Sequence, residues 1–237
     1  MAVLDVIDLV KAFVDPDGQR TPVIDVPRFA VDAGQQIALQ GSSGSGKTTF
    51  LNLLAGILVP DRGRVMIDGH NMAAGSESQR DRLRAAAIGY VFQTFNLLQG
   101  FTALENVELG MMFGRGVDPR IARELLRRVG LADRLHYRPR QLSVGQQQRV
   151  AVARALANHP RLVLADEPTG NLDRHHGHEA LTLIREICRE NEAALLLVSH
   201  DPAVLAEFES VQALSAINRA VQPDTQPVGA AGTGGRA

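Results

Sequence analysis

The stretch GSSGSGKT, from Gly41 to Thr48, limits the fold of this chain more narrowly than any other. It matches the pattern GxxxxGK followed by Ser or Thr in full, with a strand predicted before it (35–40) and a helix predicted from Lys47. Glycines let the backbone wrap closely around a phosphate chain, so that successive N–H groups and the start of the helix face the anion. The stretch therefore predicts a nucleotide-binding loop, and the alternative is a Gly/Ser-rich surface turn.

Two residues of this loop have separate expected tasks. Lys47 is expected to reach the β- and γ-phosphates of a nucleotide, and Thr48 to offer its hydroxyl to Mg²⁺. The full set of candidate nucleotide contacts in and after the loop is Gly41, Ser42, Ser43, Gly44, Ser45, Gly46, Lys47, Thr48 and Thr49.

The composition is typical of a globular protein with a substantial core. The 237 residues are 45% hydrophobic, and a net charge of -1 provides no overall field that would favour nucleic acid. The single cysteine, Cys188, is expected to be a small core residue. The start MAVLDVIDLVKAF lacks a basic segment, and no window approaches the roughly 18 apolar residues of a membrane span, so neither a secretory signal nor a span is predicted.

Strand patterns alternate with helix patterns along much of the chain, which predicts a parallel α/β sheet. Near the start, strands at 2–9 and 23–31 flank a turn-rich connection at 14–22. From about residue 97 to 158 the sequence is rich in helix formers, which predicts an inserted helical subdomain. We therefore predict a single domain over 1–220, with a core at 1–95 and 159–220, a helical subdomain at 96–158 and a disordered tail at 221–237.

A pair of acids follows a second buried strand in RLVLADEPTGNLD. Asp166 and Glu167 stand where that strand ends, and ligands bind at the carboxyl ends of parallel strands. Adjacent strand residues point to opposite faces, so the two acids are expected to have different tasks. Asp166 suits Mg²⁺ and Glu167 suits the deprotonation of an attacking water. The alternative is an acid pair that caps a helix.

The phosphate loop, the LADEP strand and the stretch QLSVGQQQRV (Gln141 to Val150) occur in the order seen in ABC transporter ATP-binding subunits, which this chain resembles from about residue 3 to 215. The resemblance implies an α/β fold with a RecA-like P-loop NTPase core of mostly parallel strands, an antiparallel β subdomain and an inserted α-helical subdomain. It also implies ATP and Mg²⁺ as cofactors and an ATPase that couples hydrolysis to transport.

The stretch from Gln141 to Val150, here called the signature stretch, is similar to the family motif LSGGQ. The resemblance implies that two subunits dimerise head to tail and that each signature stretch closes on the ATP held by the other subunit. Ser143 would then donate its hydroxyl to the γ-phosphate and Gly145 a backbone N–H, with a helix from Gln146 pointing its positive end at the same charge. Val144 replaces a glycine of the motif. The alternative is a helix start with a Ser cap.

Four further residues match family elements. The resemblance implies that Gln93 contacts Mg²⁺ and links the core to the helical subdomain, and that His200 contacts the γ-phosphate. It implies that Asp173 signals across the dimer and that Phe13 stacks on adenine. The alternatives are a surface glutamine for Gln93, a structural histidine for His200 and a core residue for Phe13. The nearby run HHGH (175–178) is expected to be solvated surface, the alternative being a metal cluster.

TFNLL, FTALENV and LADEPTGNLD resemble one branch of the family, the ATPases of lipoprotein release, macrolide export and cell division. This implies a membrane permease as partner, no nucleic acid, and a peripheral place on the cytoplasmic face of the inner or plasma membrane. Phe101, Met111, Met112 and Phe113 are expected to form a groove for the permease, or else subdomain core. Alternatives for the whole chain are a soluble ABC-type ATPase acting on nucleic acid or ribosomes, and a P-loop kinase.

Overall fold

A computed structural model describes residues 1–220 of the chain, and the tail predicted at 221–237 lies outside the described residues. Within them the strands are β1 (Ala2–Val14), β2 (Arg20–Asp32), β3 (Gln36–Gln40), β4 (Arg62–Ile67), β5 (His70–Asn71), β6 (Ile88–Val91), β7 (Leu162–Asp166), β8 (Ala194–Ser199) and β9 (Ser210–Ala213). The helices are α1 (Lys47–Leu54), α2 (Glu77–Ala87), α3 (Ala103–Met111), α4 (Pro119–Arg128), α5 (Val144–Leu156), α6 (Arg174–Glu190), α7 (Pro202–Leu205) and α8 (Leu214–Ile217).

A five-stranded sheet, in the order β6-β7-β8-β3-β9, forms the centre of the molecule, and its neighbouring strands all pair in parallel. Every residue of β7 and β8 is buried, as expected for strands covered on both faces. Side chains of β7 alternate between two hydrophobic clusters. Val163 and Ala165 join the cluster with α3 to α6, whereas Leu162 and Leu164 join the cluster with α1 and the second sheet.

The second sheet is antiparallel, in the order β2-β1-β4-β5. Its first two strands are longer than the sequence indicated, because the turn between them occupies only residues 15–19. Asp15 closes that turn by accepting hydrogen bonds from the N–H groups of Asp17 (3.1 Å) and Gln19 (2.8 Å). This sheet, the parallel sheet and the helices between β6 and β7 together confirm the predicted fold class.

The helices α3, α4 and α5 lie between β6 and β7 in the chain and share one hydrophobic cluster. Fully buried Asn106 fixes the loop that precedes α3, because its side chain bonds the backbone of Leu98 through both N–H and C=O. Helix α4 ends at Arg128, since the chain turns at Gly130 with a φ of 73°. Met111 is 1% exposed and belongs to this core, so it does not line a surface groove.

The last described elements are β9 and α8. The edge strand β9 pairs with β3. Fully buried Asn218 fastens the chain just after α8, because its side chain accepts from the N–H of Asp25 (2.7 Å) and donates to the carbonyl of Val23 (2.9 Å). Cys188 is a core residue as predicted, and burial raises the pKa of its thiol to about 12. Across residues 1–220 no helix has the length and apolarity to cross a membrane.

Candidate nucleotide site

The loop from Gly41 to Gly46 joins the carboxyl end of β3 to the start of α1. Gly46 has a φ of 91°, and a Cβ there would lie 3.2 Å from the carbonyl oxygen of Val23, so both the conformation and the space require glycine. The Lys47 ammonium folds back over the loop and donates to the carbonyls of Gly41 (2.7 Å) and Ser42 (2.9 Å). No described side chain caps α1, which leaves its first N–H groups for an anion.

The acid pair lies at the carboxyl end of β7, two strands away from the loop. Asp166 is the last strand residue, and Glu167 has a left-handed backbone with a φ of 42°. The expectation that the two side chains point to opposite faces is wrong, because strand geometry has ended before Glu167 and both acids line one cavity. A non-glycine residue held in this conformation costs about 1–3 kcal/mol, and such strain collects at functional sites.

The carboxylate of Glu167 lies between two basic side chains. Its Oε1 is 3.1 Å from Lys47 Nζ, and its Oε2 is 2.8 Å from His200 Nδ1. Lys47 and Glu167 are largely buried, at 7% and 13% side-chain exposure, whereas His200 is open to solvent at 63%. The arrangement holds a carboxylate at a fixed place beside the phosphate loop.

The electrostatics of Asp166 are set mainly by its burial. Burial raises the pKa of Asp166, a hydrogen bond from the Thr48 hydroxyl works in the opposite direction, and the charge of Glu167 raises it further. A desolvated carboxylate beside a hydroxyl offers the hard oxygen ligands that Mg²⁺ prefers. The residues present therefore fit the predicted metal.

One cavity of about 500 Å³ brings most of the predicted residues together. Gln93 reaches it from the end of β6, and its carbonyl accepts a hydrogen bond from the side chain of Asn171 at 2.6 Å. Phe13 lies outside this lining, is 42% exposed, and has the Lys11 ammonium 5.7 Å from its ring centroid. The lining consists of Val23, Ser43, Gly44, Gly46, Lys47, Thr48, Thr49, Gln93, Asp166, Glu167 and His200.

The signature stretch does not line this cavity. Ser143 is the N-cap of α5, where its hydroxyl accepts from the Gln146 N–H (3.2 Å) while the Gln146 side chain accepts from the Ser143 N–H (3.0 Å). The helix thus begins at Val144, two residues before the expected Gln146. Val144 has a negative φ and is 48% exposed, so its backbone does not require the glycine of the family motif.

The histidine run at the start of α6 consists of three acid-paired side chains. His176 lies against Asp173, His178 against Glu207, and His175 is 3.4 Å from Glu179. Asp173 caps α6, and hydrogen bonds from the backbone and the side chain of His176 hold its pKa below the usual value.

Two polar residues inside the motifs were missed by the sequence interpretation. Fully buried Gln148 donates from its side chain to the carbonyl of Pro168, next to Glu167. Asn171 connects the segment after the acid pair to Gln93. Their amides stand within QQQR and TGN, but nothing in a single sequence distinguishes them from neighbouring surface amides.

Comparison with known proteins places this geometry in a family. The family model described as ABC transporter matches residues 24–170. The chain belongs to the ABC transporter family. It is 52% identical over 186 residues to the lipoprotein-releasing system ATP-binding protein LolD of Anaeromyxobacter dehalogenans, covering 77% of this chain and 78% of that protein. With LolD of Pseudomonas syringae it shares 41% over 213 residues, covering 89% and 93%.

A solved structure agrees with these matches. The ATP-binding cassette MJ0796, in a dimeric post-hydrolysis state bound to ADP and Pi, superimposes with a TM-score of 0.81 at 34% identity, covering 89% of this chain and 94% of that one. The predictions of an ATP-binding subunit and ATPase of the ABC type, resembling the lipoprotein-release branch, are confirmed. The comparisons favour this function over a soluble ATPase acting on nucleic acid or ribosomes.

Asp166→Asn is expected to raise the free energy of unfolding of the nucleotide-free, chelated protein at pH 7. Since the pKa of Asp166 is higher in the folded than in the unfolded chain, its ionisation opposes folding above the unfolded pKa, and the amide removes that charge while still accepting from Thr48. Thermal unfolding in EDTA measures the change.

Asp173→Asn provides the matched control, with the opposite sign. The pKa of Asp173 is lowered in the fold, so its charge stabilises the protein above the unfolded pKa and this stabilisation is lost as the pH falls through the folded value. The amide variant is expected to be less stable at pH 7. Equal shifts of the two variants in the same direction would contradict the electrostatic assignment of Asp166.

Proposed function

We propose that this chain hydrolyses ATP in a head-to-tail homodimer and thereby drives a membrane permease of the lipoprotein-release type. The observation that carries the proposal is the single cavity in which Lys47, Thr48, Gln93, Asp166, Glu167 and His200 converge. They come from the ends of β3, β6, β7 and β8, so only the folded sheet unites them.

The phosphate loop is proposed to bind the nucleotide through backbone N–H groups, with Lys47 moving from the loop carbonyls to the β- and γ-phosphates. Asp166, Thr48 and Gln93 would hold Mg²⁺, which neutralises phosphate charge when bound. The ring of Phe13 is proposed to stack on adenine, and its 42% exposure leaves a face available for that contact.

Glu167 is proposed to be the general base. Its carboxylate accepts a proton from water, and the water oxygen bonds to the γ-phosphorus. The bond between the γ-phosphorus and the oxygen bridging to the β-phosphate breaks, which gives ADP and phosphate. The contact with His200 at 2.8 Å orients the carboxylate, and the exposed imidazole remains able to reach a γ-phosphate oxygen. Lys47 stabilises the charge that the breaking bond leaves on the phosphates.

The dimer is proposed because the predicted nucleotide contacts at the starts of α5 and α6 lie outside the cavity of their own chain. Ser143, Gly145, Gln146 and Asp173 lie at the starts of α5 and α6, separate from the phosphate loop. They would complete a site only on another copy. The dimeric state of MJ0796 supports association of this kind.

A second cavity of about 320 Å³ is proposed to receive the permease. It lies between the parallel sheet and the inserted helices, and Phe113, 72% exposed, stands at its edge together with polar Arg154 and Asn158. Leu98, Phe101 and Met112 add exposed apolar surface nearby in the chain, which suits an amphipathic helix. Docking there would place the chain on the cytoplasmic face of the inner or plasma membrane.

Glu167→Gln is expected to slow hydrolysis by about 100-fold or more while ATP binding survives, because the amide keeps the shape and loses the base. With ATP the variant is expected to accumulate as a dimer, measured by light scattering alongside phosphate release. Glu124→Gln, on the exposed face of α4, is the control and should behave as wild type. A Glu167→Gln protein that binds ATP and stays monomeric would contradict the dimer.

Ser143→Arg is expected to abolish hydrolysis and leave single-subunit ATP binding intact, because it blocks a contact made to the other subunit's nucleotide. Ser76→Arg is a matched control, since Ser76 also caps a helix through a capping box and belongs neither to the signature stretch nor to the nucleotide cavity. Each change should cost about 1 kcal/mol of stability through the lost cap. Equal rates of ATP hydrolysis in the two variants would show that Ser143 serves only as a helix cap.

Phe113→Arg is expected to weaken binding to inner-membrane vesicles that contain the permease by about tenfold, as loss of an apolar anchor does. The ATPase rate of the isolated subunit should not change. Val117→Arg is the control, since Val117 is also exposed, at 48%, and does not line the cavity. Vesicle sedimentation measures both, and an equal loss of binding would disprove the groove.

A further inference from the structure

The imidazole of His176 contacts the residue that caps its own helix. Its Nδ1 lies 2.6 Å from Oδ2 of Asp173, whose other oxygen accepts from the N–H groups of His175 and His176, each at 3.1 Å. Both oxygens of this carboxylate are therefore used within the first turn of α6. As a result, the direction in which Asp173 points depends on where the His176 ring lies.

The other side of the ring lies against the signature stretch. A Cβ built on Gly145 would lie 3.6 Å from Cδ2 of His176, so the imidazole is the nearest group to the open side of this glycine. Gly145 is the second residue of α5, and its N–H is not used by the capping box of Ser143 and Gln146. One side chain thus contacts Asp173 and borders Gly145, two of the residues proposed to face the other subunit's nucleotide.

Two neighbouring contacts attach α5 to the same segment. Gln148 donates to the carbonyl of Pro168, one residue after Glu167, and Arg149 is 2.9 Å from Glu179 on α6. The first half of α5 is consequently attached to the segment between Pro168 and Glu179. A shift of the catalytic segment would be passed to Gly145 through these contacts.

We propose that His176 is a positioning residue that holds Asp173 and Gly145 in one arrangement, so that the signature stretch and the Asp173 loop engage the second subunit together. The proposal rests on the head-to-tail dimer proposed above. The ring supplies two things at once, a donor for the Asp173 carboxylate and bulk beside the open side of Gly145. Loss of the donor or of the ring is expected to make the position of the signature stretch relative to the Asp173 loop less fixed.

The test compares His176 variants in the Glu167→Gln background, with ATP-dependent dimerisation followed by sedimentation over a range of protein concentrations. His176→Ala is expected to weaken the dimer roughly fivefold, the scale of a partly exposed pair. His176→Asn keeps a hydrogen-bond donor without the ring, and His176→Phe keeps a ring without the donor. The dimer affinity of each is therefore expected to lie between those of the parent and His176→Ala. ATP binding by the single subunit should not change.

His175→Ala is the control, because His175 is exposed, pairs with Glu179 through its side chain and should leave the dimer at parent strength. A His176→Ala protein that dimerises like the parent would overturn the inference, and so would full recovery in His176→Phe alone. If the Glu167→Gln parent itself fails to dimerise, the head-to-tail dimer is at fault. Lower ATP binding by monomeric His176→Ala would assign the residue a merely structural role.

Discussion

The parallel hydrogen bonds that pair β8 with β3 on one side and β7 on the other are the constraint on which the site depends. They bring Gln40, Asp166 and Ser199 to one edge of the sheet, and the phosphate loop, Glu167 and His200 come directly after these residues in the chain. Segments more than 100 residues apart in the chain therefore meet within a few ångströms. The contacts of Glu167 with Lys47 and His200 exist because the strands have this order and register.

Two features of this edge lower the stability of the folded chain, and packing elsewhere in the fold offsets them. Asp166 is desolvated, and Glu167 is held in a left-handed conformation. Hydrophobic clusters on both faces of the same strands supply the opposing stabilisation, with every residue of β7 and β8 buried. Strain and desolvation at one end of a strand are tolerable because its other residues are firmly packed.

Local patterns predicted much of this structure, because their physics is local. The phosphate loop, the strand before it and the strand that ends at Asp166 follow from glycine spacing and apolar runs. The shared orientation of Asp166 and Glu167 was not predictable, since nothing in the sequence marks a glutamate with positive φ. Met111 was expected in a permease groove or in subdomain core together with Met112 and Phe113, and only the packing of α3 shows which of the three is buried. The hydrogen bond from Gln148 to the carbonyl of Pro168 was not predictable either, because only the tertiary structure brings the two residues together.

The capping box is compatible with the anion site proposed at the signature stretch. It uses the N–H of Ser143 and of Gln146, which leaves the N–H groups of Val144 and Gly145 pointing out of the helix end. Because the Ser143 hydroxyl accepts within the box, its proton is free to be donated to a phosphate oxygen. Val144 adds exposed apolar bulk beside these donors without distorting them, since its backbone is ordinary for a first helical residue. Val144 therefore alters the surroundings of the proposed anion site and leaves its N–H donors in place.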